Sequence, residues 1–334
     1  MNSTQFCYEY AVGSCIKPSR STVSRMVLYS SCVLLMLVTI MGNLAVVMTV
    51  SHFKVLHSPT NFLSLSLAVA DFFIGMIVLP FSSIKSVDGC WYFGKIFCTV
   101  HSGFDMCLCL TSIFHLSCIS VDRYYAICDP LLYPTKFTVP VAVCFITVCW
   151  ILAVVYSYGL LFSSTIEDKM EKLVQELPCF GSCQPAFMRL WGWLNFSIFF
   201  IPCVLMLGLY LRIFLVAMKQ SKMINVMSAN SQCLKNSGSA KREQKAAKTL
   251  GIAVGVYLLC WLPFIIHTTL DTYFNFITPP LLADVFNWLT YINSACNPII
   301  YGFFYPWFRK ALKLIVTGEI FCQGSSTINL YQKK

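Results

Sequence analysis

The sequence predicts an all-α membrane protein: a bundle of seven transmembrane helices followed by an amphipathic eighth helix on the inner leaflet. Three observations carry this expectation. Hydrophobic residues make up 57% of the 334 positions and charged residues only 11%, against about 25% charged in a soluble domain. Seven apolar stretches recur, at about 26–50, 60–84, 96–122, 138–162, 190–211, 249–270 and 281–304. Each meets the roughly 20 residues that a helix needs to cross the hydrocarbon. The runs are continuous rather than alternating, which selects helices over a barrel. One soluble core cannot absorb this much apolar surface at this length. A soluble enzyme is therefore excluded, and no nucleophile–base set or metal cluster speaks for an enzyme of any kind.

The net charge of +10 has a topological explanation rather than a nucleic-acid one. With seven spans the termini lie on opposite sides. Eight basic residues, from Lys17 to Arg189, fall on the N-terminal side. Sixteen, including Lys54, Arg123, Lys248 and Arg309, fall on the other. The basic side is cytoplasmic. Residues 1–25 then form an extracellular N-terminus, 26–304 the spanning domain, and 305–334 a cytoplasmic helix and tail. The N-terminal segment is polar, and the first span suits an uncleaved signal-anchor.

Two features agree with this orientation. Asn2-Ser3-Thr4 is a glycosylation sequon that falls outside. Six of the 18 cysteines lie in polar connections, namely Cys7, Cys15, Cys90, Cys98, Cys179 and Cys183. All six face the oxidising side, where disulfides persist. Most others sit in apolar runs and read as small buried residues.

Beyond the seventh span, Pro306 opens a helix. Trp307, Phe308, Ala311, Leu312 and Ile315 alternate with basic residues at helical spacing, as in a helix lying on membrane lipid. Cys322 is either a palmitoylation site or a free thiol. The connection at 213–248 is polar and basic, and its middle is expected to be disordered.

Two carboxylates lie deep in apolar spans, and intramembrane acids are functional hypotheses by default. Asp105 sits seven residues after Cys98, about 10 Å inward from the outer end of the third span. With Met106 and Cys109 beside it, it suits an organic cation held by a charge-assisted hydrogen bond. Trp261, Phe264, Ile265, Trp288 and Tyr291 supply an aromatic and apolar surround for cation–π contact. Asp71 has polar neighbours in Asn43, Ser112, Asn293, Ser294 and Asn297. That cluster either holds a sodium ion or joins helices by hydrogen bonds, and the residues alone favour the second. Asp122-Arg123-Tyr124 closes the third span on the cytoplasmic side. Pro80, Pro202, Pro263 and Pro298 interrupt spans and favour kinks.

Taken together, these residues resemble the rhodopsin-like G-protein-coupled receptors over nearly the whole chain. The resemblance rests on Gly42-Asn43, Leu67-Ala68-Val69-Ala70-Asp71, Cys98, Asp122-Arg123-Tyr124, Trp150, Pro202 with Tyr210, Cys260-Trp261-Leu262-Pro263 and Asn297-Pro298-Ile299-Ile300-Tyr301. Within that family the chain resembles the trace amine-associated receptors. The specific stretches are Asn293 to Tyr301 followed by Phe304 to Leu312, with support from His57 to Phe62, Cys90 to Gly94 and Lys245 to Gly251.

The resemblance implies roles. Asp105 matches the amine-binding aspartate. Asp71, Asn43, Ser112 and Asn297 match a sodium-linked switch network, with Na+ as the only ion implied. Arg123, flanked by Asp122 and Tyr124 and backed by Tyr210 and Tyr301, matches the residue that contacts the G protein. Cys98–Cys183 matches the disulfide from the third span to the second outer loop. Cys179 would then join an N-terminal cysteine, Cys15 ahead of Cys7, with Cys90 unassigned. The family also implies a stimulatory G protein and cyclic AMP, an olfactory role, arrestin and receptor kinases as partners, and a plasma-membrane location.

Departures narrow the ligand. Leu194 and Ile198 stand where catecholamine receptors carry serines, so catechol recognition is disfavoured. The fifth span carries no second acid, which disfavours a diamine. Tyr257 stands where phenylalanine is usual. A small alkyl or aryl amine is the expected ligand; the alternatives are a neuromodulatory amine outside olfaction and a non-amine ligand, including a peptide. A retinal-binding light sensor is excluded, because residues 281–304 contain no lysine for the Schiff base. A transporter would show repeated halves, and none appear.

Overall fold

In the computed structural model, residues 5–171, 179–183, 189–228, 237–274 and 278–331 are described. Local signals set each helix. Ser21 caps α1 (Thr22–His52), its hydroxyl accepting from the Ser24 amide at 3.2 Å. The helix thus begins four residues before the expected boundary at 26. Ser58 caps α2 (Pro59–Asp88) with Pro59 in the first turn. A π-bulge at Ile74–Val78 interrupts α2 just before Pro80. Gly89, at φ 68°, ends the helix in the left-handed region. The third helix, α3 (Gly94–Cys128), is followed by a short turn at Tyr133–Lys136 and by α4 (Val139–Glu171). Then come α5 (Arg189–Ser228), α6 (Ser237–Phe274), α7 (Pro280–Phe304) and α8 (Pro306–Val316).

Six of these helices are long and apolar enough to cross a membrane. The seventh, α7, has 25 residues and is long enough as well. Its lower hydropathy has a cause: Asn293, Ser294 and Asn297 are polar but buried, facing the bundle. Prolines 202, 263 and 298 lie inside α5, α6 and α7. The helices pack in a ring, α1 on α2 and α7, α2 on α3 and α4, α3 on α4, α5 and α6, and α6 on α5 and α7. The apolar windows of α3 and α4 are 61% and 17% buried respectively. The axis of the bundle is therefore α3, and α4 lies at its rim.

Close approaches fix the packing. A Cβ on Gly42 of α1 would meet the Pro298 ring of α7 at 2.7 Å. A Cβ on Gly251 of α6 would overlap the Tyr210 phenol of α5. Trp150 donates to Ser66 at 3.0 Å, joining α4 to α2. The core gathers around Leu67, Ile113, Met206, Tyr257 and Trp261.

Two features of the face that carries α8 add to the sequence reading. The polar stretch at 213–248 is largely helical, with α5 running to Ser228 and α6 starting at Ser237. A polar sequence can continue a helix already nucleated in the membrane, and the middle, 229–236, lies outside the described residues. In α8 it is Leu314, not Leu312, that turns inward with Phe308 and Ala311. Ala311 and Leu314 join Phe53, Leu56, Ile320 and Leu330, so α8 and the tail pack on the inner end of α1. Cys322 is exposed.

Candidate ligand site and cytoplasmic switch

The outer ends of the helices are tied by three disulfides: Cys98–Cys183, Cys15–Cys179 and Cys7–Cys90. The first two hold the 179–183 segment to α3 and to the N-terminal strap. The third anchors that strap beside the end of α2 and takes up the cysteine the sequence left unassigned. Backbone bonds reinforce the assembly, with Cys15 donating to the Phe180 carbonyl at 3.0 Å and Trp91 to that of Gly181 at 2.8 Å. The Tyr8 hydroxyl donates to the Trp91 carbonyl at 3.3 Å. Asn2 lies outside the described residues.

Below this cap, Asp105 is half-buried on α3. Its Oδ2 accepts from the Tyr291 hydroxyl of α7 at 2.9 Å, and its Oδ1 from the Cys109 thiol one turn below at 3.6 Å. Both donors are neutral. Among the described residues no cationic side chain lies within ion-pair distance of it; Lys85 acts on it only as a more distant charge. Asp284 on α7 is a second acid near this mouth, and Arg20 pairs with it at 3.6 Å. Trp288 stacks edge-on to Tyr291 at 5.5 Å and donates to Ser86 at 2.9 Å.

Deeper in the bundle, Trp261 lies parallel to Phe199 at 5.0 Å and to Tyr257 at 6.1 Å, and meets Phe264 edge-on at 6.2 Å. Ile265 is buried beside it, and Met106 and Ile198 pack on the same core. Leu194, by contrast, is 41% exposed. A groove of about 580 Å³ does occur between α6 and α7, lined by Leu258, Leu262, Ile266 and Phe286. Asp105 does not line it, and Leu262 and Ile266 face outward. We assign it no part in the site.

Asp71 is fully buried at mid-bundle. Its oxygens accept from Ser112 at 3.0 Å and Asn297 at 2.7 Å, and Ser294 also bonds it. Asn43 donates to the Thr39 and Ser294 carbonyls at 2.9 and 3.0 Å. Its Oδ1 is buried without a hydrogen-bond partner. Asn293 is buried on α7. One carboxylate and two hydroxyls make an all-oxygen donor set of the kind that suits a hard monovalent cation.

At the other end of α3, Asp122 is fully buried and saturated with donors. Arg123 reaches it through Nε at 2.8 Å and Nη2 at 2.6 Å, Thr60 at 2.7 Å and Tyr133 at 2.8 Å. Arg123 also bonds the Thr60 hydroxyl and lies 6.0 Å from the Tyr133 ring centre. Burial, then the Asp122 charge, raises the Tyr133 phenol above its ordinary pKa, so it stays a neutral donor. Tyr124 packs edge-on to Tyr125 at 5.6 Å. Tyr210 lies over Gly251 of α6, and Tyr301 lies 5.8 Å from Tyr305. Thr60 lies in the His57–Phe62 stretch, but nothing in that stretch points to Asp122, and Tyr133 has no motif around it, so only the fold discloses that they complete this cluster.

A ring of spanning helices with a capped outer acid and an Asp–Arg lock on the inner end of one helix defines a membrane receptor of the rhodopsin class. The sequence profile of the seven-transmembrane receptors of the rhodopsin family matches residues 42–301. The chain is 52% identical to mouse (Mus musculus) trace amine-associated receptor 5 over 328 residues, covering 98% of this chain and 96% of that protein. It is 51% identical to the human (Homo sapiens) receptor of the same name, covering 98% and 96%. Mouse trace amine-associated receptor 9 is 49% identical over 334 residues, covering 99% and 96%. The chain belongs to the trace amine-associated receptor family. It is a multi-pass membrane receptor and not an enzyme.

Proposed function

We propose that this receptor detects small amines, whose ammonium group pairs with Asp105. The observation that carries the reading is the pairing state of that acid. An ionised carboxylate inside a membrane bundle is costly without a cation, and here its two direct donors are a hydroxyl and a thiol. A ligand ammonium supplies the missing charge and a strong hydrogen bond. The names of the relatives, which are trace amine receptors, support the same class. The absence of hydroxyls at Leu194 and Ile198 favours alkyl or simple aryl amines over catecholamines.

In this reading the N-terminus is extracellular and the protein resides in the plasma membrane, as the excess of lysine and arginine on the opposite side supports. Binding at Asp105 biases the Trp261 region and, through α6, the Asp122–Arg123 lock. Release of Arg123 then engages a heterotrimeric G protein, of the stimulatory type that raises cyclic AMP, in an olfactory setting. Arrestin and receptor kinases act on the same cytoplasmic face. Asp71, Asn43, Ser112 and Asn297, with Asn293 and Ser294, form a sodium-sensitive network that favours one state of the bundle. Asn2 carries the N-terminal glycan. The test is a cyclic AMP assay over primary, secondary and tertiary amines in cells expressing the receptor. A response that depends on Asp105 is expected, and a flat response to every amine would falsify the reading.

A further inference from the structure

Behind Asp105 and Tyr291 stand two polar residues that no motif singles out, Ser82 on α2 and His101 on α3. They are 6% and 5% exposed, respectively. Tyr291 has one hydroxyl proton, and it goes to Asp105 at 2.9 Å. Its oxygen therefore accepts from its other contact, the Ser82 hydroxyl at 3.2 Å. The Ser82 oxygen faces His101 Nε2 at 3.5 Å, and that nitrogen lies 3.2 Å from the Val78 carbonyl. A carbonyl can only accept, so Nε2 carries a proton, and that N–H is shared, its shorter leg to the Val78 carbonyl and its longer one to the Ser82 oxygen. The protons then run one way, from His101 through Ser82 and Tyr291 to Asp105. Val78 closes the π-bulge of α2, so the far end of the chain is set by the backbone. Trp91, Phe81 and Phe97 pack around the imidazole with ring centres at 5.2, 6.0 and 6.3 Å, which keeps competing water away.

We propose that Ser82 and His101 are positioning residues for the ligand anchor. They hold the Tyr291 hydroxyl on Oδ2 of Asp105. This leaves Oδ1, met among the described residues by the Cys109 thiol at 3.6 Å, as the oxygen that takes the incoming cation. The proposal rests on the amine reading of Asp105 and adds a supporting layer from α2, an element not otherwise part of that site. The i, i+4 spacing of His101 and Asp105 puts both on one face of α3. Neither residue touches the ligand; both act through Tyr291.

The test is a double-mutant cycle read in two ways. One readout is the potency of cyclohexylamine and its N,N-dimethyl derivative at matched surface expression. The other is the thermal unfolding midpoint of the purified, unliganded full-length receptor. Ser82→Ala is expected to lower potency about three- to tenfold, the range for loss of one neutral hydrogen bond. Ser82→Thr, which keeps the hydroxyl, restores it. In a Tyr291→Phe background Ser82→Ala has no further effect on potency, and it lowers the midpoint by less than in the wild-type background, because only the Ser82–His101 contact remains to be lost. His101→Gln, which retains a donor near the Nε2 position, stays close to wild type, whereas His101→Ala matches Ser82→Ala. Fully additive effects in the cycle, or equal potency for His101→Ala and His101→Gln, overturn the relay. If neither amine activates the wild-type receptor the amine reading is set back on its own, and additivity of the unfolding midpoints still decides the relay.

Discussion

Asp105 and Asp122 lie on the same helix, about 25 Å apart along its axis, and they are satisfied in opposite ways. Asp122 has its own cation, with Arg123, Thr60 and Tyr133 filling its oxygens at 2.6–2.8 Å. Asp105 has two neutral donors, one of them a weak thiol at 3.6 Å. The inner acid is closed by the protein itself, as suits a lock that opens only when the helices move. The outer acid is short of charge, as suits an anchor that an external cation completes. The covalent reinforcement differs in the same sense. All three disulfides among the described residues brace the end that carries Asp105, while the Asp122 end is held by hydrogen bonds and by α8 packed on α1.

The largest expected effect tests the anchor. Asp105→Ala should lower amine potency by about 100-fold or more, as for removal of one partner of a desolvated charge pair. Basal signalling should stay near wild type, since the lock is untouched. Amine dose–response curves at matched surface expression measure both quantities. Unchanged potency would remove the contrast between the two acids.

The lock should respond in the opposite sense. Asp122→Asn keeps the shape of the side chain but loses the charge that holds Arg123. Ligand-free cyclic AMP should rise about fivefold or more, a shift within the 1–3 kcal/mol range of allosteric coupling. Amine affinity should change little or rise, because releasing the lock favours the active state and linkage is reciprocal. Basal activity that stays flat, measured beside a Thr60→Ala control, would mean that Arg123 is not the restrained element.

How much of this was readable in advance follows from the range of each interaction. The spans, the prolines and the acids at 71, 105 and 122 are visible because hydropathy and an acid in an apolar run are local signals. The ends of α5 and α6 were not, because helices outrun the bilayer in polar sequence that carries no hydrophobic period. Cys7–Cys90 was not, because cysteine positions do not encode connectivity. Ser82, Thr60 and Tyr133 lie on other elements from the acids they serve, joined only by the packing of the ring. His101 was within reach, since it sits one helical turn before Asp105.

Asp71 stands between the two extremes, and it gives the smallest and most selective effect. Like Asp105 it is bonded by neutral groups; like Asp122 it is fully buried, with Ser112 and Asn297 at 3.0 and 2.7 Å. A site this enclosed suits a small cation rather than an organic one. Replacing external sodium chloride with potassium chloride should therefore change amine potency of the wild-type receptor by about two- to threefold, a shift of well under 1.4 kcal/mol. In Asp71→Asn the potency should be the same in both salts, because the neutral amide removes the charge that attracts the ion. Asp105 would remain able to bind the amine in either medium. A salt effect that survives Asp71→Asn would place the cation elsewhere and leave Asp71 as a hydrogen-bond joint among α2, α3 and α7.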